Sequence, residues 1–111
     1  MGQRGSRQAR SALGVRGVCE ERSVEEAVNE ACRRWPRAEE AWEAVKWAIG
    51  RDPHGAGPAL TESGMIRLMV FDGARSIGLP SVRAVYVVGP ATVTVREVLF
   101  QEAVHLYAGN A

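Results

Sequence analysis

Apolar residues recur at helical spacing in the middle third of the chain. Two stripes follow the three- and four-residue steps that put side chains on one side of a helix, and Pro36 separates them. Ser23 followed by Glu26 predicts a capping box at the start of the first helix, because each side chain can accept an unpaired backbone N–H. The second stripe stops before Gly50, a good helix terminator. The pattern predicts two consecutive helices with the stripes Val24, Ala27, Val28, Ala31, Cys32, Trp35 and Ala38, Ala41, Trp42, Val45, Ile49.

The last third of the chain changes to the two-residue period of β-strands. Residues 66–71 alternate, and the pair Asp72-Gly73 after them predicts a tight hairpin turn. Segments 82–88 and 92–99 are rich in Val, Thr and Tyr, and Gly89-Pro90 predicts a short connection between them. We therefore expect an α+β fold in which two N-terminal helices pack on one face of a three- to four-stranded antiparallel sheet.

Charged residues are unevenly distributed along the chain. The 111 residues, 46% hydrophobic and 24% charged, predict a single domain. The net charge of +1 divides into +4 over residues 1–19, −4 over 20–62 and +1 over 63–111. Residues 1–19 predict a flexible basic arm ahead of a domain spanning 20–111. A nucleic-acid, membrane or targeting role would suit such an arm, but it lacks a helical apolar face, and we interpret it as dispensable.

The sequence carries no pattern of a membrane span or a metal site. No apolar run approaches the roughly 18 residues of a span, and the N-terminus lacks the apolar stretch of a secretory signal, so we expect a cytoplasmic protein. Cysteine and histidine residues show none of the close pair spacings of a zinc site, and we expect neither metal nor other cofactor. Cys32 is predicted to lie in the core. Trp47 is predicted to lie buried against the sheet, and the alternative is an exposed aromatic that binds a partner.

Three arginines fall in three different predicted strands. If the branched aliphatic residues of the first strand face the helices, Arg67 points to the opposite face. Arg83 and Arg96 could share that face. A guanidinium can grip phosphate through two parallel hydrogen bonds, so the three together predict an RNA-binding surface. The alternative is that each arginine merely keeps the solvent face of the sheet polar.

Candidate groups for proton transfer are few. His105 and Tyr107, near the C-terminus, are titratable ring groups that could attend chemistry on this face. Anchoring aromatics in a short terminal helix would explain them nearly as well. No Ser/His/Asp or Cys/His arrangement can be identified, and the glycine-rich segment 50–57 lacks the Lys-Ser/Thr of a phosphate-binding P-loop.

Taken together, several short motifs resemble the RelE/ParE superfamily, the toxins of bacterial type II toxin–antitoxin systems. The resemblance covers roughly residues 36–98. It rests on a helix ending in Trp47-Ala-Ile-Gly-Arg-Asp-Pro53-His-Gly55, on Ile66-Arg-Leu68 opening a strand, on Pro80-Ser-Val-Arg83-Ala-Val-Tyr86, and on Val93-Thr-Val-Arg-Glu-Val98. It implies a small microbial toxin, neutralised by a cognate antitoxin that wraps it, which acts as a ribosome-dependent mRNA endonuclease or inhibits DNA gyrase.

The resemblance also assigns residues for the nuclease branch. It places Arg83 at the arginine that holds the scissile phosphate, and Tyr107 at about the spacing of a C-terminal catalytic tyrosine. Such toxins usually carry a basic cluster after the last strand, whereas this chain has no Arg or Lys after Arg96. His105 is the candidate to replace that basic cluster. The cleavage that the resemblance implies would need no metal. The family's N-terminal strand is also weak here, because glycines interrupt residues 13–19.

Two other classes of function stay open. A non-catalytic protein-binding module on a degenerate or repurposed toxin fold would explain the missing basic cluster and the near-neutral charge. An unrelated small α+β protein is the third possibility, because each motif is short.

Overall fold

The computed structural model describes residues 17–104. It has four strands and two α-helices in the order β1 (Gly17–Glu20), α1 (Arg22–Arg34), α2 (Ala38–Arg51), β2 (Ile66–Phe71), β3 (Ser81–Val88) and β4 (Thr92–Gln101), with a short 3₁₀ helix at Arg75–Ile77 before β3. The predicted α+β class, with two helices and four strands, is confirmed.

The sheet departs from the prediction in two respects. Its strand order is β1-β4-β3-β2, and β1 runs parallel to β4 while the other pairs are antiparallel, so the sheet is mixed. A strand also precedes the helices, which cross over from β1 at one edge of the sheet to β2 at the other edge. Because β1 begins at Gly17, residues 17–19 of the predicted basic arm belong to the sheet. Residues 1–16 lie outside the described part.

Helix α1 begins two residues too early for the predicted capping box. The backbone N–H of Glu21 donates to the carbonyl of Val95, which keeps the chain extended beside β4 up to Glu21. The helix starts at the next residue, so Ser23 lies inside its first turn, and no side chain caps it. Cys32, predicted in the core, is exposed, because the buried line of α1 passes through Val24 and Ala31 instead.

Helix α2 buries five residues of its predicted stripe, but not Trp47. The helix continues through Gly50, which is buried, and ends at Arg51. Trp47 is 58% exposed, and the Arg51 guanidinium lies 5.0 Å from its ring centroid. The prediction that Trp47 is buried is wrong, because two residues beyond Val45 a side chain points to the opposite side of a helix.

The hydrophobic core lies between the two helices and one face of the sheet. Alternate residues of β3 are buried toward the helices, and Tyr86 is the largest fully buried side chain. The ring of Trp42 tilts against that of Phe100 at 6.1 Å between centroids, which joins α2 to β4. The buried members of this core are Val24, Ala41, Trp42, Val45, Ile49, Val82, Ala84, Tyr86, Val88, Val93 and Val95.

The two hairpin connections differ. The chain between β3 and β4 is short, as predicted, and Gly89 N–H donates to the Thr92 carbonyl there. The connection between β2 and β3 is not the predicted tight turn at Asp72-Gly73 but extends over residues 72–80, with Ala74 bridged to Leu79. Over residues 17–104, no helix is long and apolar enough to cross a membrane.

Candidate functional site

The face of the sheet turned away from the helices, here called the open face, is mostly apolar. Register partners in adjacent strands share a face, and the buried residues of β3 face the helices, so Arg83, Val85 and Val87 face away. The same register places Ile66, Leu68 and Val70 of β2 on the open face, together with Cys19 of β1 and Thr92, Thr94, Glu97 and Leu99 of β4.

Arg83 lies near one end of this surface, on the strand between β2 and β4. It pairs in register with Val70 on one side and Leu99 on the other, which are 47% and 51% exposed. Arg83 is itself exposed, and its guanidinium makes no hydrogen bond or ion pair with any residue between 17 and 104. A permanent cation with its donors unused, held on a rigid strand, can bind a phosphate or carboxylate in bidentate geometry.

Arg67 does not join Arg83 on the open face. It is in register with Tyr86, so it lies on the helix side of the sheet. Its guanidinium donates to the backbone carbonyls of Gly57 and Gly64, each at 2.8 Å. The prediction that Arg67 shares a surface with the other arginines is wrong, because the side chain holds the loop in front of β2.

Arg96 is also removed from the predicted cluster. A bulge in β4 leaves it without a register partner in β3, and its guanidinium forms an ion pair with Glu21 at 3.4 Å. Both side chains are about half exposed, so this pair contributes little stability. Of the three arginines predicted to form one surface, only Arg83 lies on the open face without a side-chain partner among residues 17–104.

Two of the segments on which the resemblance rests contact each other in the structure. The Tyr86 hydroxyl donates to the Pro53 carbonyl at 2.6 Å, which ties β3 to the loop after α2. In that loop the Gly55 N–H donates to the Asp52 carboxylate at 3.1 Å. A Cβ at Gly55 would collide with the Asp52 carboxylate, so the spacing Asp-Pro-x-Gly has a local structural reason. These two contacts anchor the loop after α2 to β3.

Tyr86 is a core residue and not a proton-transfer group. Burial raises the pKa of its phenol, and the positive charge of the nearby Arg67 opposes that rise. The hydroxyl is committed to the Pro53 carbonyl, so the phenol is held neutral. The other candidates for proton transfer, His105 and Tyr107, lie outside the described residues.

The sequence prediction missed the apolar character of the open face. The expectation that the branched aliphatic residues of β2 face the helices is wrong for Val70. Val70 and Leu99 both lie on the open face beside Arg83. Nearly every residue of β2 is apolar, so the sequence does not indicate which of its alternate residues face the helices.

Metal-ligating side chains do not cluster among the described residues, and the comparisons with known proteins find no match. Within residues 17–104, no three His, Cys, Asp or Glu side chains lie close enough together to hold a metal ion. Comparisons with protein-family models, with curated proteins and with solved structures find no match to this chain.

Proposed function

We propose that the chain is the toxin of a type II toxin–antitoxin pair, with a RelE/ParE-like fold, acting in the cytoplasm and neutralised by a cognate antitoxin. The observation that carries the proposal is Arg83, whose side chain is exposed and unpaired among the described residues, on the open face between Val70 and Leu99. The presence of β1 ahead of the helices adds support, because the resemblance calls for a strand there. The contact between Tyr86 and Pro53 supports it further, since it joins the motifs on which the resemblance rests.

The proposed activity is metal-independent cleavage of mRNA. Arg83 would bind the scissile phosphate and stabilise the charge that builds up on its oxygens, while His105 and Tyr107 would move protons at the attacking and leaving oxygens. Arg96, on the neighbouring strand, would contribute only after leaving Glu21. Inhibition of DNA gyrase is the other branch that the resemblance implies.

Growth after induction tests the proposal. Expressed alone in bacteria, the chain is expected to arrest growth, and the product of a small neighbouring reading frame is expected to restore it. Arg83→Ala should abolish the arrest. Arg33→Ala is the matched control, because it removes an exposed arginine of α1 that pairs only with Glu30. Normal growth at high soluble expression of the unaltered chain would contradict the proposal.

A non-catalytic binding module is the second candidate, and the surroundings of Arg83 favour it. Two half-exposed aliphatic side chains flank a single cation, a composition that suits a protein partner with an acidic residue among apolar ones. In that case Val70→Ser with Leu99→Ser would abolish co-purification with the neighbouring reading frame's product, while the unaltered chain would leave growth and mRNA intact.

A further inference from the structure

The apolar part of the open face extends beyond β2. The segment 58–60 runs antiparallel beside the edge of β2, where Ala59 is bridged to Arg67. Arg67 faces the helices, so Leu60, the residue after Ala59, faces the opposite side. Leu60 is 53% exposed. The aliphatic residues of the open face are then Leu60, Ile66, Leu68, Val70, Val85, Val87 and Leu99.

No element of residues 17–104 covers this surface. The two helices pack on the other face of the sheet, around the core. An antiparallel sheet with one face in water normally carries polar residues on that face. Here the water-facing side keeps Leu60, Val70 and Leu99 about half exposed. An apolar sheet face of this kind is typical of a surface that another layer buries.

Two unpaired charges of opposite sign lie among these aliphatic residues. They are Arg83 of β3 and Glu97 of β4, at diagonal positions two residues apart in register. Both are exposed, and neither side chain forms a hydrogen bond or ion pair with residues 17–104. A partner for this face must therefore be apolar and must also carry one acid and one base.

We propose that the open face binds a second copy of this chain, face to face across a twofold axis. Such an axis exchanges two positions of one face, so it can place Arg83 of each copy beside Glu97 of the other. Each charge then gains the partner that it lacks. The aliphatic residues of the two faces bury each other, as in packed sheets. A copy of the chain thus supplies the apolar surface, the acid and the base together.

The two ends of the chain are poorer occupants of the open face. Residues 1–16 contain four arginines and no acid, so they would repel Arg83. After β4 the chain turns toward the helices, because Ala103 is buried and the Glu102 carboxylate accepts a hydrogen bond from the Trp35 indole at 3.4 Å. Residues 105–111 contain no Asp, Glu, Lys or Arg to pair with either charge.

The inference does not depend on the proposed toxin function. An RNA phosphate and a second copy of the chain would compete for Arg83. Because Arg83 and Glu97 both lose water when they pair, we expect a reversible association that increases with protein concentration.

Charge reversal combined with mass measurement tests the proposal. Sedimentation equilibrium of the full chain from about 1 to about 500 μM should show a monomer that becomes a dimer. Arg83→Glu or Glu97→Arg alone places like charges opposite each other and should weaken dimerisation at least about tenfold. An equimolar mixture of these two variants should form a heterodimer, because opposite charges then meet in both contacts. The matched control is Arg33→Glu, which reverses an exposed arginine of α1 and should dimerise normally.

Nuclear magnetic resonance locates the interface independently. The methyl signals of Val70 and Leu99, each identified by its absence in a substituted chain, should shift as the protein concentration rises. The indole signal of Trp47, which is exposed in the helix layer, should not shift.

Several outcomes would overturn the inference. They are a monomer at every concentration, a mixture of the two charge-reversed variants that stays monomeric, equal weakening by Arg33→Glu, and methyl signals that do not move. A dimer that forms only after Arg4, Arg7, Arg10 and Arg16 are changed to glutamine would also overturn it, because the chain's own N-terminal residues would then be the occupant. Growth arrest by the unaltered chain is measured separately, so this proposal and the toxin function can fail independently.

Discussion

The two faces of the sheet are built from the same strands but perform different tasks. Toward the helices, β3 and β4 present Val82, Tyr86 and Val95, which are fully buried. Toward the other side, the same β3 presents Arg83, exposed between half-exposed aliphatic neighbours. The difference indicates that the helix-facing side stabilises the fold and that substitutions on the open face should cost little stability.

The placement of the arginines sharpens this comparison. Arg67 and Arg83 lie on adjacent strands and on opposite faces. The Arg67 guanidinium donates to two backbone carbonyls in front of β2, whereas the Arg83 guanidinium has no partner in the described chain. Residue type alone therefore does not show whether an arginine side chain is available to a ligand, whereas its hydrogen-bond partners do.

The largest contrast is expected between two valines. Val82→Ala removes fully buried methyl groups and should lower the free energy of unfolding by about 2–3 kcal/mol. Val70→Ala makes the same chemical change on the open face, where the side chain is 47% exposed, and should cost less than about 1 kcal/mol. Urea unfolding of both variants measures the difference. Equal losses would break the distinction between the faces.

Arg67→Met should give the next largest effect. The Gly57 and Gly64 carbonyls lose a charged donor, so we expect the free energy of unfolding to fall by about 1–2 kcal/mol. Arg83→Met should change it by less than about 0.5 kcal/mol, since no described contact is lost. Thermal unfolding of the two variants provides the measurement, and a larger loss for Arg83→Met would contradict the assignment of faces.

Tyr86→Phe should have a smaller effect that depends on pH. Losing the hydrogen bond to Pro53 should cost about 1 kcal/mol at neutral pH. Burial raises the pKa of Tyr86, so above about pH 10 the unfolded chain gives up its phenol proton while the folded chain keeps it. The free energy of unfolding should therefore fall as pH rises above about 10, and less steeply in Tyr86→Phe. Identical slopes for the two proteins would contradict the burial of this phenol.

Arg96→Gln should produce the smallest change. The ion pair with Glu21 is half exposed, and its loss should lower the free energy of unfolding by less than about 0.5 kcal/mol, with the difference disappearing in high salt. Unfolding in low and high salt checks this. A loss above 1 kcal/mol would mean that Arg96 has a structural role like that of Arg67.

The sequence predicted the elements of the fold better than their faces. Helical stripes and runs of Val and Thr identified both helices and the last three strands, because those patterns are long. Strand β1 has only four residues and is defined by a partner far along the chain, so no local pattern marks it. The facing of β2 failed because Met69 and Phe71 are as apolar as the residues between them. The sequence identifies Arg83 as a candidate. Only the structure shows that the other two arginines do not join it, because Arg67 binds backbone carbonyls and Arg96 binds Glu21.

The most direct test of the central claim is mRNA integrity in a translating bacterial extract. The unaltered chain should cleave mRNA without added metal, and Arg83→Gln should cleave it about a hundredfold more slowly or worse while unfolding at the same urea concentration. Arg33→Gln should cleave at the unaltered rate. Cleavage by Arg83→Gln as fast as by the unaltered chain would contradict the claim that the open face acts through Arg83.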